Sequence, residues 1–194
     1  MKIISIWAVK GGVGKTTLAL HLCQALSRDD KKVLLFDSDD QKSALEVHSH
    51  SEEFKFDAVG ELPDDVDGYD YLIVDFPPTL KALNSVQRKL LKRSDHILSP
   101  LRASRLDLMS FKKIKSDFAD DSRFIPILSA YDARIADQKS VRLEVAKSYP
   151  VISYLSVYSR ALNACKSVFS KSMSNVSQVS KARAEMNKIL ELIR

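Results

Sequence analysis

Two lysines, Lys10 and Lys15, bracket a cluster of glycines near the start of the sequence, in Lys10-Gly11-Gly12-Val13-Gly14-Lys15-Thr16-Thr17. Glycines at 11, 12 and 14 permit backbone conformations and close approaches that a side chain would block. A turn of this kind between a strand and a helix aims its N–H groups at phosphate oxygens. Lys15 can reach the terminal phosphates, and the Thr16 hydroxyl is placed to ligate Mg²⁺. The usual phosphate-loop spacing puts its first glycine five positions before the Gly-Lys pair, where this chain has Val9. The departure comes with an additional cation, Lys10, for which a single phosphate site has no evident use.

Carboxylates able to complete such a site stand at the ends of two apolar runs. KVLLFD (32–37) ends in Asp37, with Asp39 just beyond it, and YLIVDF (71–76) carries Asp75 near its end. Mg²⁺ takes oxygen ligands and usually keeps several waters, so a strand-end carboxylate can act directly or through water. Asp75 suits that role. Of Asp37 and Asp39, one can support the metal shell while the other orients, or takes a proton from, an attacking water. Asp40 reads as a solvated loop residue.

The elements that must hold these residues are legible as alternating patterns. Apolar runs at 2–8, 32–37, 71–76, 96–101, 123–130 and 150–155 read as strands. Leu18, Leu22, Ala25 and Leu26 mark one face of a helix after the glycine loop, and further helices are expected near 80–92, 104–118, 138–147, 159–171 and 176–193. Continuous apolar strands separated by helices predict an α/β fold, a mostly parallel sheet with helices on both faces. Ligands of such sheets bind at the C-terminal strand ends, so the loop, Asp37 and Asp75 should converge on one edge. GELPDDVDGYD (60–70) is expected to be a polar surface loop.

The 194 residues are expected to form a single domain. Apolar residues at 45% and charged residues at 28% are ordinary for a folded soluble protein, and no apolar run is long enough to span a bilayer. No signal peptide is expected, and Cys23 and Cys165 lack metal-type spacing, which fits reduced thiols in the cytoplasm. The net charge of +5 is unevenly spread: residues 1–100 hold 13 Lys/Arg against 16 Asp/Glu, and residues 101–194 hold 17 against 9. A basic second half points to a polyanionic partner such as nucleic acid or an anionic membrane, or else to a solvated basic surface.

KGGVGKTT (10–17) matches the deviant Walker A motif of the ParA/MinD family of ATPases at every position. LLFDSDDQKS (34–43) resembles the family's Asp-x-Asp-Pro-Gln motif, and YDYLIVDFPP (69–78) its Walker B segment. RSDHILSPLRASRLDL (93–108) and LSAYDAR (128–134) also resemble family stretches, in the family's order. The resemblance implies a P-loop fold that binds ATP with Mg²⁺ through Lys10, Gly11, Gly12, Val13, Gly14, Lys15, Thr16 and Thr17. Ser129 falls where the family contacts the base. Lys15 would serve its own subunit's phosphates, while Lys10 would reach across an ATP-dependent homodimer to the partner's ATP. Asp39 would position the hydrolytic water, Thr16 would ligate Mg²⁺, and Asp37 and Asp75 would supply the metal's outer shell. Asp40 stands where the family usually has proline, Trp7-Ala8-Val9 replaces a more polar lead-in, and YSRALNACK (158–166) follows the family only loosely.

The family spans several jobs, and residues weigh them. The cysteines do not suit a shared iron–sulfur cluster, and no tyrosine cluster closes the chain. Ala182, Met186, Ile189, Leu190 and Ile193 lie on one face of the last helix, as in a MinD-like membrane helix, but Glu185, Glu191 and the lack of Phe or Trp favour packing on the domain. Arg160, Lys166, Lys171, Lys181 and Arg183, among hydroxyl-rich neighbours, are the candidate DNA contacts. No helix-turn-helix module is expected before the loop, so binding should be electrostatic and indifferent to sequence. The expected protein is a cytoplasmic, nucleoid-associated ATPase that segregates plasmid or chromosome cargo and is stimulated by a ParB-type partner. The alternatives are a positioner of carboxysomes or chemoreceptor clusters and a membrane-surface regulator.

Overall fold

The runs 33–37 and 71–75 are buried along their whole length, as strands covered on both faces must be. A computed structural model describes residues 1–78, 83–115, 118, 121–145 and 147–194. The first half of the chain forms β1 (Lys2–Ile6), α1 (Lys15–Ser27), β2 (Val33–Asp37), α2 (Ser43–Ser49), β3 (Asp57–Val59) and β4 (Tyr71–Asp75). There follow α3 (Ser85–Arg93), β5 (His96–Arg102), α4 (Arg105–Lys115), β6 (Phe124–Tyr131), α5 (Ala136–Val145), β7 (Val151–Ser153), α6 (Ser156–Asn163) and α7 (Val179–Ile193). All seven strands pair in parallel, in the order β3-β2-β4-β1-β5-β6-β7.

Side-chain alternation along the inner strands divides the core in two. Ile4, Ile6, Val33, Leu35, Tyr71 and Ile73 pack on one side with α1, α6 and α7. Ile3, Leu34, Phe36, Leu72 and Val74 face the other, where Leu90 and Leu91 of α3 cover them. Leu108 and Phe111 of α4 and Val141 of α5 seal the sheet over β5 and β6. The same alternation fixes the acids. Asp37 follows Val33 and Leu35, Asp75 follows Tyr71 and Ile73, and the two aspartates pair in register, so both carboxylates emerge on the α1 side.

The sequence did not disclose α2 or β3. β3 is a three-residue edge strand against β2 with an exposed first residue, too short to leave a pattern. α2 lacks a capping side chain at Lys42, which has φ 49; the carboxylate of Asp37 caps it from β2 instead, accepting from the N–H groups of Ala44 and Leu45 at 2.9 and 3.1 Å. The helix expected over 159–171 is Ser156–Asn163. Cys165 adopts the left-handed conformation (φ 52), and the N–H of Lys166 closes on the carbonyl of Ala161, a C-terminal motif that glycine usually supplies. Beyond it the serines bond to one another rather than to a helix: Ser167 N–H donates to Ser170 Oγ at 3.1 Å and Ser170 N–H to the Ser167 carbonyl at 2.9 Å. Parts of the expected helices at 80–92, 104–118 and 138–147 lie outside the described residues.

α7 settles the question its apolar face raised. Ala182, Met186, Ile189, Leu190 and Ile193 are all buried in the α1 core. No described helix is long and apolar enough to cross a membrane. Ile189→Ala should therefore lower unfolding free energy by about 2–5 kcal/mol, read from urea denaturation, as a core truncation does. A loss within about 0.5 kcal/mol would be the mark of a surface position and would contradict this packing.

Candidate nucleotide site

The glycine loop leaves β1 through buried Trp7, whose backbone N–H donates to the Leu98 carbonyl at 3.0 Å, and enters α1 at Lys15. Gly12 (φ +70) and Gly14 (φ +95) take left-handed conformations that side chains resist, which is the local reason for glycine at these two positions. Gly14 is also the N-cap of α1, so no side chain covers the first N–H groups, and the first turn contains no acid. Free N–H groups at the positive end of a thirteen-residue helix form an anion cradle.

Lys15 is buried beside the acids, whereas Lys10 is part-exposed. Thr16, in the first turn of α1, donates its hydroxyl to Asp75 Oδ2 at 2.7 Å. The other oxygen, Oδ1, is buried and has no hydrogen-bond partner. Burial pushes the Asp75 pKa up to about 7, opposed by the Thr16 hydrogen bond and reinforced by the negative charge of Asp37. Burial also raises Asp37, against N–H bonds from Leu45, Asp39 and Ala44. Asp39 stands at the rim, its Oδ1 accepting from Gln41 N–H at 3.1 Å, and Asp40 is exposed. Among the described residues no three His, Cys, Asp or Glu side chains cluster to hold a metal. A hydroxyl beside an unsatisfied buried carboxylate oxygen fits Mg²⁺, which takes one or two protein ligands and completes its shell with phosphate and water.

On the other side of the loop a cavity of about 290 Å³ is lined by Gly12, Gly14, Thr17, Ser129, Tyr154 and Tyr158, among others. Three steps of β6, from Leu128 to Tyr131, pair with two steps of β7, from Val151 to Ser153, a bulge that carries Ala130 at φ 49. Ser129 lies within this bulge, nearly buried, and its hydroxyl has no partner.

Residues 4–193 match the CobQ/CobB/MinD/ParA nucleotide binding domain. The chain belongs to that family. The ParA/MinD resemblance of the motifs and the expected α/β architecture both stand. A plasmid partition protein from Borrelia burgdorferi, solved bound to AMPPNP, superposes with a TM-score of 0.75 at 19% identity over 99% of each chain, a likeness of fold. Protein virC1 of Rhizobium radiobacter is 28% identical over 123 residues, 56% of this chain and 52% of that protein. The maintenance of carboxysome distribution protein A of Gloeobacter kilaueensis is 31% identical over 115 residues, 55% of this chain and 52% of that protein. The match thus spans about half the length of these relatives.

Within this family member the structure brings Lys15, Thr16, Asp37, Asp39 and Asp75 to one strand edge and sets Thr17 and Ser129 around the adjoining cavity. The five basic candidates of the second half are not equivalent. Arg160, Lys171 and Lys181 are exposed, Lys166 pairs with Glu53 at 3.2 Å, and Arg183 donates to the carbonyls of Val168 and Ser170 at 2.7 and 3.1 Å. Two residues at the loop were missed from sequence. Arg102, the last residue of β5, donates to the Gly12 carbonyl, and Asp107 of α4 pairs with Lys10. The position of Arg102 at a C-terminal strand end next to β1 was the available signal.

The raised pKa of Asp75 makes a signed prediction. Between its ordinary value of 3.8 and about 7 the folded protein holds a proton that the unfolded chain has released, so stability declines as pH rises through that window. Asp75→Asn should flatten this decline in the nucleotide-free protein, measured as thermal midpoint against pH. An unchanged slope in the variant would show that Asp75 ionises normally.

Proposed function

We propose that the protein is a small ParA-type ATPase that closes into an ATP-bound dimer, binds DNA without sequence preference, and hydrolyses ATP when a cargo-linked partner protein engages it. The observation that carries this reading is the segregation of the two loop lysines. Lys15 is buried toward the acids of its own subunit, while Lys10 is part-exposed and held on the α4 side. One subunit's phosphate site is therefore served without Lys10, and Lys10 is available for a second.

The roles proposed for the chain's residues draw on the family resemblance and are compatible with their placement. The α1 N-terminus and Lys15 hold the phosphates. Thr16 and Asp75 hold Mg²⁺, with Asp37 behind them keeping α2 and the Asp39 turn in place. Held there, Mg²⁺ would supply positive charge to offset the negative charge of the terminal phosphates. Asp39, at the rim, orients the attacking water. Lys10 arrives from the other subunit as an added positive charge on the transferred group. Ser129 and the cavity beside it receive the base.

The DNA surface comprises Arg160, Lys171 and Lys181, which are exposed. A weak patch on one subunit gains avidity when the dimer presents two. The cargo is plasmid or chromosomal DNA in the leading reading. The likeness to a carboxysome distribution protein favours a second reading, the same cycle acting on a protein body, and gene neighbours encoding the partner would separate the two. The apolar face of α7 is buried, so this helix does not supply the surface that a membrane-surface role would use.

Lys10→Ala should reduce partner-stimulated hydrolysis to the unstimulated rate, and full stimulated turnover would exclude a trans role. Asp39→Ala should accumulate the ATP-bound dimer, seen by light scattering with ATP present. DNA binding with ATP should weaken steeply from about 50 to 300 mM salt, because each neutralised phosphate releases counterions. Salt-indifferent binding in a gel-shift titration would contradict the electrostatic surface.

A further inference from the structure

Lys10 is not idle in the lone subunit: its Nζ lies 2.6 Å from Asp107 Oδ1. The Asp107 side chain is 13% exposed and that of Lys10 38%, so the acid is the fixed member and the lysine the free one. Asp107 stands in the first turn of α4, where the helix N-terminus favours a carboxylate. Its N–H donates to Ser104 Oγ at 3.1 Å, and the Leu108 N–H donates to the Ser104 carbonyl at 3.0 Å, which ties down the start of the helix. Leu108 and Phe111 then anchor α4 in the core over β5 and β6. Lys10, by contrast, carries its charge on a flexible four-carbon stem.

The same β5–α4 junction holds the loop a second time. Arg102 donates to the Gly12 carbonyl, and the Ser104 N–H donates to the Arg102 carbonyl at 2.8 Å. The phosphate loop is thus gripped at Gly12 and at Lys10 by one short segment of the neighbouring strand and helix.

We propose that Asp107 is a positioning residue that stores Lys10 against its own subunit, so that closure of two subunits exchanges Asp107 for the partner's terminal phosphates. The inference rests on the trans role of Lys10. Its chemistry is an exchange of one anionic partner for another, so the ammonium is never left desolvated and unpaired. Asp107 keeps the α4 N-terminus when Lys10 leaves, which makes the release reversible. Storage opposes dimerisation and keeps unpaired subunits from presenting Lys10 prematurely.

The test measures the protein concentration at which the dimer forms in saturating AMPPNP, by sedimentation velocity, for wild type, Asp107→Asn, Lys10→Ala and the double variant. Asp107→Asn should lower the dimer dissociation constant by about tenfold, since two part-exposed ion pairs no longer have to break. Asp107→Glu should restore the wild-type value, and the effect of Asp107→Asn should vanish in the Lys10→Ala background. Asp107→Ser, suited to a first helical turn, gives the same reading should the Asn variant not fold. An unchanged or weaker dimer in Asp107→Asn, while Lys10→Ala weakens it, would overturn the storage role and leave the trans role intact. An equal shift with and without Lys10 would place the effect in α4 itself and also overturn it. If Lys10→Ala changes neither dimerisation nor stimulated turnover, the trans role fails and this inference fails with it.

Discussion

Two carboxylates side by side at the ends of neighbouring parallel strands, both buried, set the terms for everything around them. Asp37 and Asp75 are brought together by strand register and placed on the α1 side by alternation, so the fold itself sets two carboxyl groups side by side under the glycine loop. Each acid has found partial relief. Asp37 spends its oxygens on the α2 N-terminus and the Asp39 N–H, while Asp75 takes one hydroxyl from Thr16 and leaves its second oxygen unmatched. Burial, reinforced by repulsion from Asp37, keeps Asp75 reluctant to ionise. The helix start opposite offers the complementary half, free N–H groups and Lys15 with no acid in the first turn. Strand-end acids and helix-start donors thus face one another across the glycine loop.

α1 ties this site to the rest of the molecule. Its first turn carries Lys15 and Thr16, while its later turns are buried on every side between the sheet and α7. Five residues after Thr16, the buried His21 bonds through Nδ1 to Ser167 at 3.0 Å, and burial holds its pKa down to about 3, so it stays neutral at physiological pH. Ser167 lies in the serine-rich turn that Arg183 braces through the carbonyls of Val168 and Ser170. The basic C-terminal segment is therefore built onto the helix that begins at the glycine loop, and buried contacts join the two.

Features that are local or periodic were legible in the amino-acid sequence. Gly-Gly-Val-Gly-Lys-Thr ahead of an amphipathic helix, and aspartates closing apolar runs, were enough to locate the loop, β2, β4 and the strand-end acids. Legibility stopped where a side-chain contact or an unusual backbone conformation decides. α2 is capped by Asp37 from the end of β2 and not by its own N-cap residue; the helix at 156–163 ends where Cys165 adopts a glycine-like conformation. Lys166 and Arg183 look like free cations in the sequence, yet one answers Glu53 and the other a pair of backbone carbonyls. Arg102 and Asp107 escaped notice because their importance comes from β5 lying beside β1, a crossover that no periodicity announces.

The most direct measurement mixes Lys10→Ala subunits with Asp39→Ala subunits and follows ATP hydrolysis in the presence of the stimulating partner. Neither variant alone should show stimulated hydrolysis, because each homodimer lacks either the crossing lysine or the water-positioning acid. In the mixed dimer one site keeps its own Asp39 and receives Lys10 from the other subunit. A lysine acting in trans therefore restores about a quarter of the wild-type sites at equal mixing in a two-fold dimer. No recovery, in a mixture shown to form mixed dimers, would mean that Lys10 serves its own subunit and that the second lysine is not shared across the interface.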